Sequence, residues 1–387
     1  MTILDDAKII TTANAAKAGV LYSVKPESGL ADLDVTRSTT ATIVNESGII
    51  ESVAVNEPQL DYTDGSCPSF LVEPQRTNSV SRSVDFSWFG YYYSNASVTD
   101  SSVTSPDGGT NASEITTTNS SHYMFTEQTV TAGSTYTFSF YAKRGTMTDV
   151  KYAVYSWNAS SYITSPTSYY SQTSSSWSRI SITFTVPSGT NTIGVRTLDD
   201  SGVTGTVFIW GVQLENGSYA SSYIPTTAAS VTRNATTFVK SGLSSLIGQT
   251  EGVLFLETQF LEVPTAAKFI GIGQWGFDHV SIGGYSNGNW SVFFYLNGSP
   301  VILPTTLGAI DANFHKIAFK YGSGDNAVWL DGVEIYTSSA TGTPSATDME
   351  IFGGKLGNVL YTFDGKIKQM QVYDAKLTDS ELLTLTT

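Results

Sequence analysis

The 387-residue chain contains a single cysteine, Cys67. One cysteine cannot form an intrachain disulfide, and it cannot supply the cysteine clusters of structural zinc sites. The three histidines lie far apart, without the HxH or HExxH spacing of His-rich metal sites; they are His122, His279 and His315. The sequence therefore predicts no cofactor. It leaves open a structural calcium ion, Ca2+, held by dispersed Asp side chains and carbonyl groups.

Positive charge is also scarce, with 20 Lys and Arg against 34 Asp and Glu and a net charge of −14. Nucleic-acid binding needs clustered Lys and Arg, so we expect no nucleic-acid partner and no anionic membrane surface. No stretch approaches the roughly 18 apolar residues of a membrane span. The first residues lack the basic and apolar segments of a secretory signal. We expect the protein to be made and folded in the cytosol.

Helix signals are few. Residues 5–17 place Ile9, Ile10, Ala13 and Ala16 on one weakly apolar face, which predicts a helix capped at Gly19. Residues 378–385 begin with Thr-Asp-Ser-Glu, the capping-box pattern of a helix N-terminus. Nearly all of the sequence between these two segments indicates strand and turn.

The strand evidence is an alternation of apolar and hydroxyl side chains, in a chain of which about a quarter is Ser or Thr. Residues 135–141 and 178–186 both alternate in this way. Hairpin-turn dipeptides follow such runs, for example Asn297-Gly298. A change of parity between Ile367 and Met370 predicts a β-bulge. The sequence predicts an all-β fold of tandem jelly-roll β-sandwiches, preceded by a short, partly helical and extended N-terminal segment.

Composition and turn signals divide the chain into three sections. Residues 1–78 hold the helical start and an extended stretch rich in Thr, Val and Ile that ends near Pro74. Residues 79–228 form a first block of strands, and residues 236–387 form a second block.

Several strings resemble the conserved parts of bacteriophage tail-fibre and head-fibre proteins. They lie at 35–42, 58–62, 71–78, 209–215 (IWGVQLE) and 222–226 (SYIPT). Residues 79–228 look like the carbohydrate-binding-module-like jelly roll of those proteins. Residues 236–387 are similar to concanavalin A-like, laminin-G-type lectin sandwiches, with the matching strings at 328–333, 363–367 and 372–382.

This resemblance implies a virion protein whose residues 1–78 anchor it to capsid or tail proteins and whose outer modules face the host, commonly as a homo-trimer. The expected location is the virion surface, after assembly in the host cytoplasm. Whether it sits on head or tail is left open. If residues 1–30 are the anchor, deleting them should leave a folded protein that no longer joins the particle.

Catalysis by a lectin-like sandwich would need two carboxylates flanking a glycosidic bond. The nearest match to the E-x-D-x-x-E pattern of glucanases with this fold is Glu257 to Glu262, which lacks the central Asp. An offset of five residues also puts the two side chains on opposite faces of a strand. The sequence therefore predicts that the protein is not an enzyme.

Glycan binding needs aromatic rings that stack on sugars and polar groups that bond to hydroxyls. Three consecutive tyrosines at 91–93 cannot all face one core, so at least one must lie outside. The candidate glycan-binding residues are Trp88, Tyr91, Tyr92, Trp157, Tyr169, Trp275, Asn289 and Trp290. The expected function is non-catalytic adhesion of a virion protein to host-surface glycans. The alternatives are a polysaccharide-degrading tail spike and a purely structural, particle-stabilising protein.

Overall fold

The computed structural model describes residues 2–88, 90–274, 278–342, 344, 350–353 and 363–387. As predicted, nearly all of the regular structure is β-strand. None of the helices in these ranges is long and apolar enough to cross a membrane.

Along the first half of the chain the strands are β1 (Ile9–Lys17), β2 (Val20–Lys25), β3 (Leu33–Thr36), β4 (Ala41–Val44), β5 (Ile50–Val53), β6 (Gln59–Asp61), β7 (Ser69–Val72), β8 (Arg76–Asn78), β9 (Tyr91–Ser94), β10 (Ala96–Val103), β11 (Ala112–Thr117), β12 (Tyr123–Thr129), β13 (Thr135–Arg144), β14 (Lys151–Ser156), β15 (Ser161–Ser168) and β16 (Ser178–Thr185). Those that follow are β17 (Thr192–Asp199), β18 (Gly205–Asn216), β19 (Val231–Arg233), β20 (Thr237–Lys240), β21 (Glu251–Phe260), β22 (Lys268–Gly273), β23 (His279–Gly284), β24 (Trp290–Leu296), β25 (Ser299–Ile302), β26 (His315–Gly322), β27 (Asn326–Leu330), β28 (Val333–Ser338), β29 (Glu350–Gly353) and β30 (Gly365–Tyr373). The helical segments are α1 (Ile3–Asp6), a 3-10 turn (Tyr170–Gln172) and α2 (Asp379–Thr386).

The chain folds into two compact units. Unit 1 comprises residues 1–40, 53–74 and 234–387, and unit 2 comprises residues 41–52 and 75–233. This division differs from the three predicted sections. Most of the predicted N-terminal segment belongs with the last section, because its strands pair with strands from the end of the chain.

Unit 1 is built on one continuous sheet in the order β25-β24-β23-β22-β29-β20-β3-β2-β1-β30-β21-β26-β27-β28, with β6 and β7 joined to it through β30. Strand β1 pairs with β30, with Ile9 opposite Val372, and β3 pairs with β20. The sheet encloses one large apolar core that includes Ile9, Leu21 and Trp290. The N-terminal strands are therefore an integral part of unit 1.

The predicted helix over residues 5–17 is wrong. Helix α1 ends at Asp6, and residues 9–17 form strand β1. Along this strand Ile9, Thr11 and Ala13 are buried while Ile10 and Thr12 are less so, which is a period of two. The sparse apolar residues fit either period, and pairing with β30 decides in favour of the strand.

Two local predictions in unit 1 are confirmed. In the β21–β30 pairing Thr258 lies opposite Ile367 and Glu257 lies opposite Gln369, so Lys368 is the extra residue of a bulge. At the start of α2 the Thr378 side chain accepts a hydrogen bond from the Glu381 N–H, and the Glu381 carboxylate accepts one from the Thr378 N–H. This reciprocal pair is the predicted capping box.

Unit 2 is a sandwich of two five-stranded sheets. One sheet has the order β10-β11-β18-β13-β16 and the other the order β15-β14-β17-β12-β9. The first sheet contributes Phe138 and Ile180 to the shared core, and the second contributes Met124, Val154 and Val195. Each sheet uses one face for this core. The other face of the first sheet is covered by a second apolar cluster that includes Ile50, Trp210 and Tyr223. The outer face of the second sheet carries exposed side chains and is available for solvent or a ligand.

The burial of Ile9 gives a test of the role of β1. Replacing Ile9 by Ala removes fully buried apolar volume from the unit 1 core, and we expect it to lower the free energy of unfolding by about 2–5 kcal/mol. Urea unfolding followed by circular dichroism measures the change. The matched control is Val24→Ala on the neighbouring strand β2, where the side chain is exposed and we expect a change within about 0.5 kcal/mol. Equal stability of the two variants would show that β1 is not needed to join the halves of the unit 1 sheet. A protein that lacks residues 1–30 and still folds would lead to the same conclusion.

The buried histidine of unit 1 gives a pH dependence. His279 begins β23 and stacks on Tyr295 with 4.7 Å between ring centroids. Burial lowers its pKa from 6.5 to about 4, although the negative charge of Asp278 acts in the opposite direction. The unfolded chain therefore binds a proton below pH 6.5 that the folded protein takes up only near pH 4. Stability falls as the pH falls through this window, by about 3 kcal/mol in total.

We expect His279→Phe, which keeps an aromatic ring but cannot titrate, to lose less stability than the unaltered protein across this window. Urea unfolding at a series of pH values gives a curve of stability against pH for each protein. Subtracting one curve from the other removes the contribution of the carboxylates, because both proteins share them. Parallel curves would contradict the assignment.

Candidate functional site

The outer side of the β15-β14-β17-β12-β9 sheet of unit 2 carries a cluster of aromatic rings. Phe125 is buried there, yet it does not belong to the core cluster on the inner side. Its ring stacks nearly parallel on Tyr92 at 5.1 Å and lies 5.2 Å from Trp157. We call this surface the aromatic face; its rings are Tyr92, Tyr123, Phe125, Tyr155, Trp157 and Tyr162.

Strand geometry brings these rings together. Tyr155 and Trp157 are two residues apart, a spacing that puts two side chains on one side of a strand. Register then places Tyr92 opposite Phe125 and Tyr155 opposite Tyr162. Such cross-strand pairs stabilise a sheet by about 0.2–1 kcal/mol each. The face is therefore formed partly within the β14–β15 hairpin and partly by the pairing of β9 with β12, which lie further apart in sequence.

A glycine leaves room for two of the rings. Gly194 lies in β17, opposite Glu127 on one side and Tyr155 on the other. A Cβ atom at this position would lie 3.3 Å from the rings of both Phe125 and Trp157. Because those contacts are tight, the absence of a side chain at 194 allows both rings to lie over the strand.

Arg196 lies among the rings. Its guanidinium carbon lies 5.0–5.8 Å from the centroids of four rings, those of Tyr123, Phe125, Tyr155 and Tyr162. Nη1 donates to Asp199 Oδ2 at 3.1 Å and to Tyr162 Oη at 3.3 Å. Both members of the ion pair are buried, with 10% and 2% of their side chains exposed. A buried charge of this kind needs its counter-ion, and the rings add cation–π attraction.

The hydroxyl of Tyr162 stays protonated at neutral pH. Burial is the largest influence on it and the carboxylate of Asp199 is the next, and together they raise the pKa of Tyr162 above its ordinary value of 10 despite the opposing charge of Arg196. A protonated phenol can donate one hydrogen bond and accept others.

Four rings of the aromatic face are open to solvent. The exposed fractions are 52% for Tyr92, 40% for Tyr162, 37% for Tyr123 and 36% for Trp157. The arrangement therefore combines accessible ring surfaces with a phenol, a guanidinium and a carboxylate. Chemically it can stack on an apolar surface and bond to polar groups beside it.

A buried histidine holds the loops beside the aromatic face. The imidazole of His122 bonds through Nδ1 to the Asn119 carbonyl at 2.8 Å and through Nε2 to the Ser201 hydroxyl at 3.3 Å. The His122 N–H donates to Asp200 at 2.6 Å. These bonds join the loop before Tyr123 to the loop after Asp199, and so help to position both residues.

Two of the candidate residues predicted from the sequence lie on the aromatic face, Tyr92 and Trp157. The prediction that at least one of the three consecutive tyrosines lies outside is confirmed, since Tyr92 and Tyr93 are both exposed. Tyr91 is buried, and its hydroxyl donates to the Arg82 carbonyl at 2.8 Å.

Tyr91, Tyr169 and Trp290 are wrong as ligand-stacking candidates because each is buried in a core. The Tyr169 ring contacts Phe140 at 5.3 Å, and its hydroxyl donates to the Thr197 carbonyl at 2.9 Å. Trp290 is fully buried in unit 1. A ring packed on all sides has no surface to offer a ligand.

The other three candidates lie elsewhere. Trp88 is half-buried against the core of unit 2, with Arg82 over its ring at 5.4 Å. Asn289 belongs to the turn between β23 and β24, where its N–H donates to the Asn287 side chain at 3.1 Å. Trp275 lies outside the described residues.

Sequence reasoning missed most of the aromatic face, namely Tyr123, Phe125, Tyr155, Tyr162, Arg196 and Asp199. The available signal was the period of two in Tyr123–Phe125 and Tyr155–Trp157. Each of these pairs puts two rings on one side of its strand.

The two carboxylates considered for catalysis are each near a lysine. Glu257 Oε1 lies 3.6 Å from Lys368 Nζ, and its Oε2 accepts from the Gln369 side chain at 2.8 Å. Glu262 lies beyond the end of β21, with Oε1 3.7 Å from Lys268 Nζ. Within the described ranges no three His, Cys, Asp or Glu side chains form a metal site. The structural calcium ion stays a prediction.

Comparison with known proteins gives one family match. Residues 262–383, in unit 1, match the model described as the concanavalin A-like lectin/glucanases superfamily. This agrees with the lectin resemblance seen in the sequence of the last section. No curated protein matches the chain.

Solved structures with partial similarity include the CBM40 of an IT-sialidase from Ruminococcus gnavus, at 20% identity over 38% of this chain and 88% of that chain, with a TM-score of 0.33. Domain 4 of AbnA, a GH43 arabinanase from Geobacillus stearothermophilus solved with arabinotriose, has 18% identity over 44% of this chain and 84% of that chain, with a TM-score of 0.33. A SAP-like pentraxin from Limulus polyphemus has 15% identity over 35% of this chain and 70% of that chain, with a TM-score of 0.29. These similarities are too low to carry a functional conclusion.

The buried ion pair of the aromatic face gives a test of the site geometry. Asp199→Ala leaves the Arg196 charge buried without its counter-ion, and we expect a loss of about 3–5 kcal/mol in the free energy of unfolding. The double variant Arg196→Met with Asp199→Leu removes both charges and keeps much of the volume, so we expect it to be more stable than Asp199→Ala. Urea unfolding measures all three proteins. A double variant no more stable than the single one would show that the pair is not coupled as described.

Proposed function

We propose that the protein binds glycans without cleaving them and that the aromatic face of unit 2 is a binding site. The observation that carries this proposal is the set of four exposed rings around the Arg196–Asp199 pair, on the side of the sheet away from the core.

Sugars present two kinds of surface, and the aromatic face suits both. Their apolar C–H faces stack on aromatic rings, and their hydroxyls hydrogen-bond to charged and polar groups. Here ring centroids lie about 5–6 Å apart, with a guanidinium, a carboxylate and a phenol among them. Exposed aromatic surface gathered in one place is unfavourable in water, and such patches mark binding sites more often than scattered single residues do.

Two further observations support this class of function. The lectin-like match of residues 262–383 points to saccharide recognition in unit 1 as well. The nearest candidates for a catalytic carboxylate pair, Glu257 and Glu262, lie beside different lysines. Cleavage of a glycosidic bond needs two carboxyl groups that flank that same bond. The proposal includes no cofactor.

The finer proposal is that this is a bacteriophage fibre or decoration protein, on head or tail, displayed at the virion surface. Its support is the resemblance of residues 35–42, 71–78 and 209–215 to such proteins. A homo-trimer, with many copies on each particle, would convert weak single-site binding into strong adhesion to host-surface glycans. Partners on the particle would be capsid or tail proteins. If particles whose copies of this protein cannot bind glycans still adsorb normally to the host, the protein has a purely structural role.

The binding site is tested by removing its exposed rings. We expect Trp157→Ala and Tyr92→Ala to weaken glycan binding by about tenfold or more, equivalent to about 1.4 kcal/mol, because each removes a stacking surface. A glycan array identifies ligands of the unaltered protein, and isothermal titration then measures the affinity of each variant.

The matched control is Tyr22→Ala, which removes an exposed tyrosine of unit 1. Unchanged binding by the control, together with weakened binding by the other two, assigns the site to the aromatic face. Equal affinities in all three variants would place the site elsewhere. Shortened chains after incubation with the bound polysaccharide would overturn the non-catalytic assignment.

A further inference from the structure

We infer, on the basis of the proposed function, that the aromatic face selects uncharged sugars with adjacent hydroxyl groups over sugars that carry a carboxylate. The Tyr162 hydroxyl and Arg196 Nη2 would hydrogen-bond to those hydroxyls, and the buried carboxylate of Asp199 would disfavour the acidic sugars.

The cation at the centre of the aromatic face is already neutralised. Arg196 Nη1 bonds to the Asp199 carboxylate at 3.1 Å, and neither side chain is more than 10% exposed. An anionic sugar attracted to the guanidinium would also meet the Asp199 carboxylate beside it. The pair therefore offers little net attraction to a negative ligand.

The surrounding charges are mostly negative. Asp200 lies next to Asp199, and its carboxylate accepts from the His122 N–H and the Ser121 hydroxyl. Glu127 is exposed on β12, opposite Gly194. The nearby cation of Lys151, opposite Asp199 in the sheet, lies 3.9 Å from Asp149. The pKa of Tyr162 is raised first by burial, then by Asp199, with Asp200 adding to it. Taken together, these groups disfavour a ligand carboxylate.

The hydrogen-bonding groups suit a pair of hydroxyls. Both hydrogen bonds described for the Arg196 side chain use Nη1, which leaves Nη2 with its donor capacity. It can donate to a sugar oxygen. Asp199 is buried, and its oxygens already accept from Arg196 Nη1 and the Asp200 N–H. The exposed hydroxyl of Tyr162 can donate or accept. One of two neighbouring sugar hydroxyls can therefore donate to the Tyr162 phenol oxygen while the other accepts from Arg196 Nη2.

The exposed rings complete this specificity. Stacking on Trp157 and Tyr92 depends on the apolar face of a sugar and is indifferent to its charge. Discrimination between neutral and acidic sugars then depends on the charged and polar groups beside the rings, which are Arg196, Asp199 and Tyr162. A ligand carboxylate at this surface would lie near the buried Asp199 carboxylate without a free cation, which would leave both anions poorly compensated.

The test compares matched neutral and acidic oligosaccharides with the full-length protein. Galacto-oligosaccharides, gluco-oligosaccharides and manno-oligosaccharides are titrated beside their uronic-acid counterparts, at low and at high NaCl. We expect at least one neutral oligosaccharide to bind at least tenfold more tightly than its uronic-acid counterpart, with an affinity that salt leaves unchanged. Tighter binding of the acidic partner, weakened by salt, would overturn the inference while leaving glycan binding intact. Binding of neither class would overturn the proposed function itself.

A conservative variant separates hydrogen bonding from stacking. Tyr162→Phe keeps the ring and removes the hydroxyl, so we expect about tenfold weaker binding of the neutral ligand with no loss of folding. Tyr93→Phe is the control, because Tyr93 is an exposed tyrosine of the same sheet. Equal affinities of the two variants would show that the Tyr162 hydroxyl does not contact the ligand.

Asp199→Asn tests the charge argument with little change of shape. Loss of this carboxylate frees the Arg196 cation, so we expect affinity for the uronic-acid oligosaccharide to rise relative to the neutral one. No change in that ratio would contradict the role of Asp199 in discrimination. Far-ultraviolet circular dichroism confirms that the compared variants are folded.

Discussion

Backbone hydrogen bonding between the two ends of the chain is the constraint on which unit 1 depends. Strand β1 pairs with β30 and β3 pairs with β20, so residues 9–36 join the two halves of the sheet. Without them, β30 and β20 would each lose a partner and leave unpaired N–H and C=O groups. The residues that match the lectin model, 262–383, therefore do not complete this sandwich alone. All of unit 2 lies in sequence between the strands that must meet, which makes the closure of unit 1 highly non-local.

In unit 2 successive side chains along a strand point alternately toward the core and away from it, and this alternation serves two purposes. Strand β12 turns Met124 toward the core and Phe125 toward the aromatic face, and β17 does so with Val195 and Arg196. The tightly packed inner face fixes the strands, and the fixed strands hold the outer rings in place. Rings presented by a rigid sheet lose little conformational entropy when a ligand binds, which favours affinity. The proposed site thus lies on the outer face of a sheet whose inner face is fixed by the core.

Local signals in the sequence predicted local structure well. Alternation identified the strands at 135–141 and 178–186, and the parity change and the Thr378–Glu381 pattern identified a bulge and a helix cap. Residues 5–17 were predicted wrongly because their apolar residues fit two periods, and the deciding partner, β30, lies at the other end of the chain. The burial of Tyr169 and Trp290 also depends on tertiary packing, which the local sequence does not show. Phe125 and Arg196 meet because of sheet register, which single-sequence periodicity does not contain.

The small number of cations also limits how this protein can recognise a partner. Several of its lysines lie beside carboxylates within unit 1: Lys268 with Asp364 and Glu262, Lys366 with Asp61 and Asp64, and Lys320 with Asp325. Arg196 in unit 2 is likewise paired. A chain with a net charge of −14 whose cations are engaged in this way has little long-range attraction for anions. At the proposed site, binding would then depend on short-range stacking and hydrogen bonds, which an uncharged sugar can supply in full. Such contacts are weakly sensitive to salt, so the affinity would persist across changes of ionic strength.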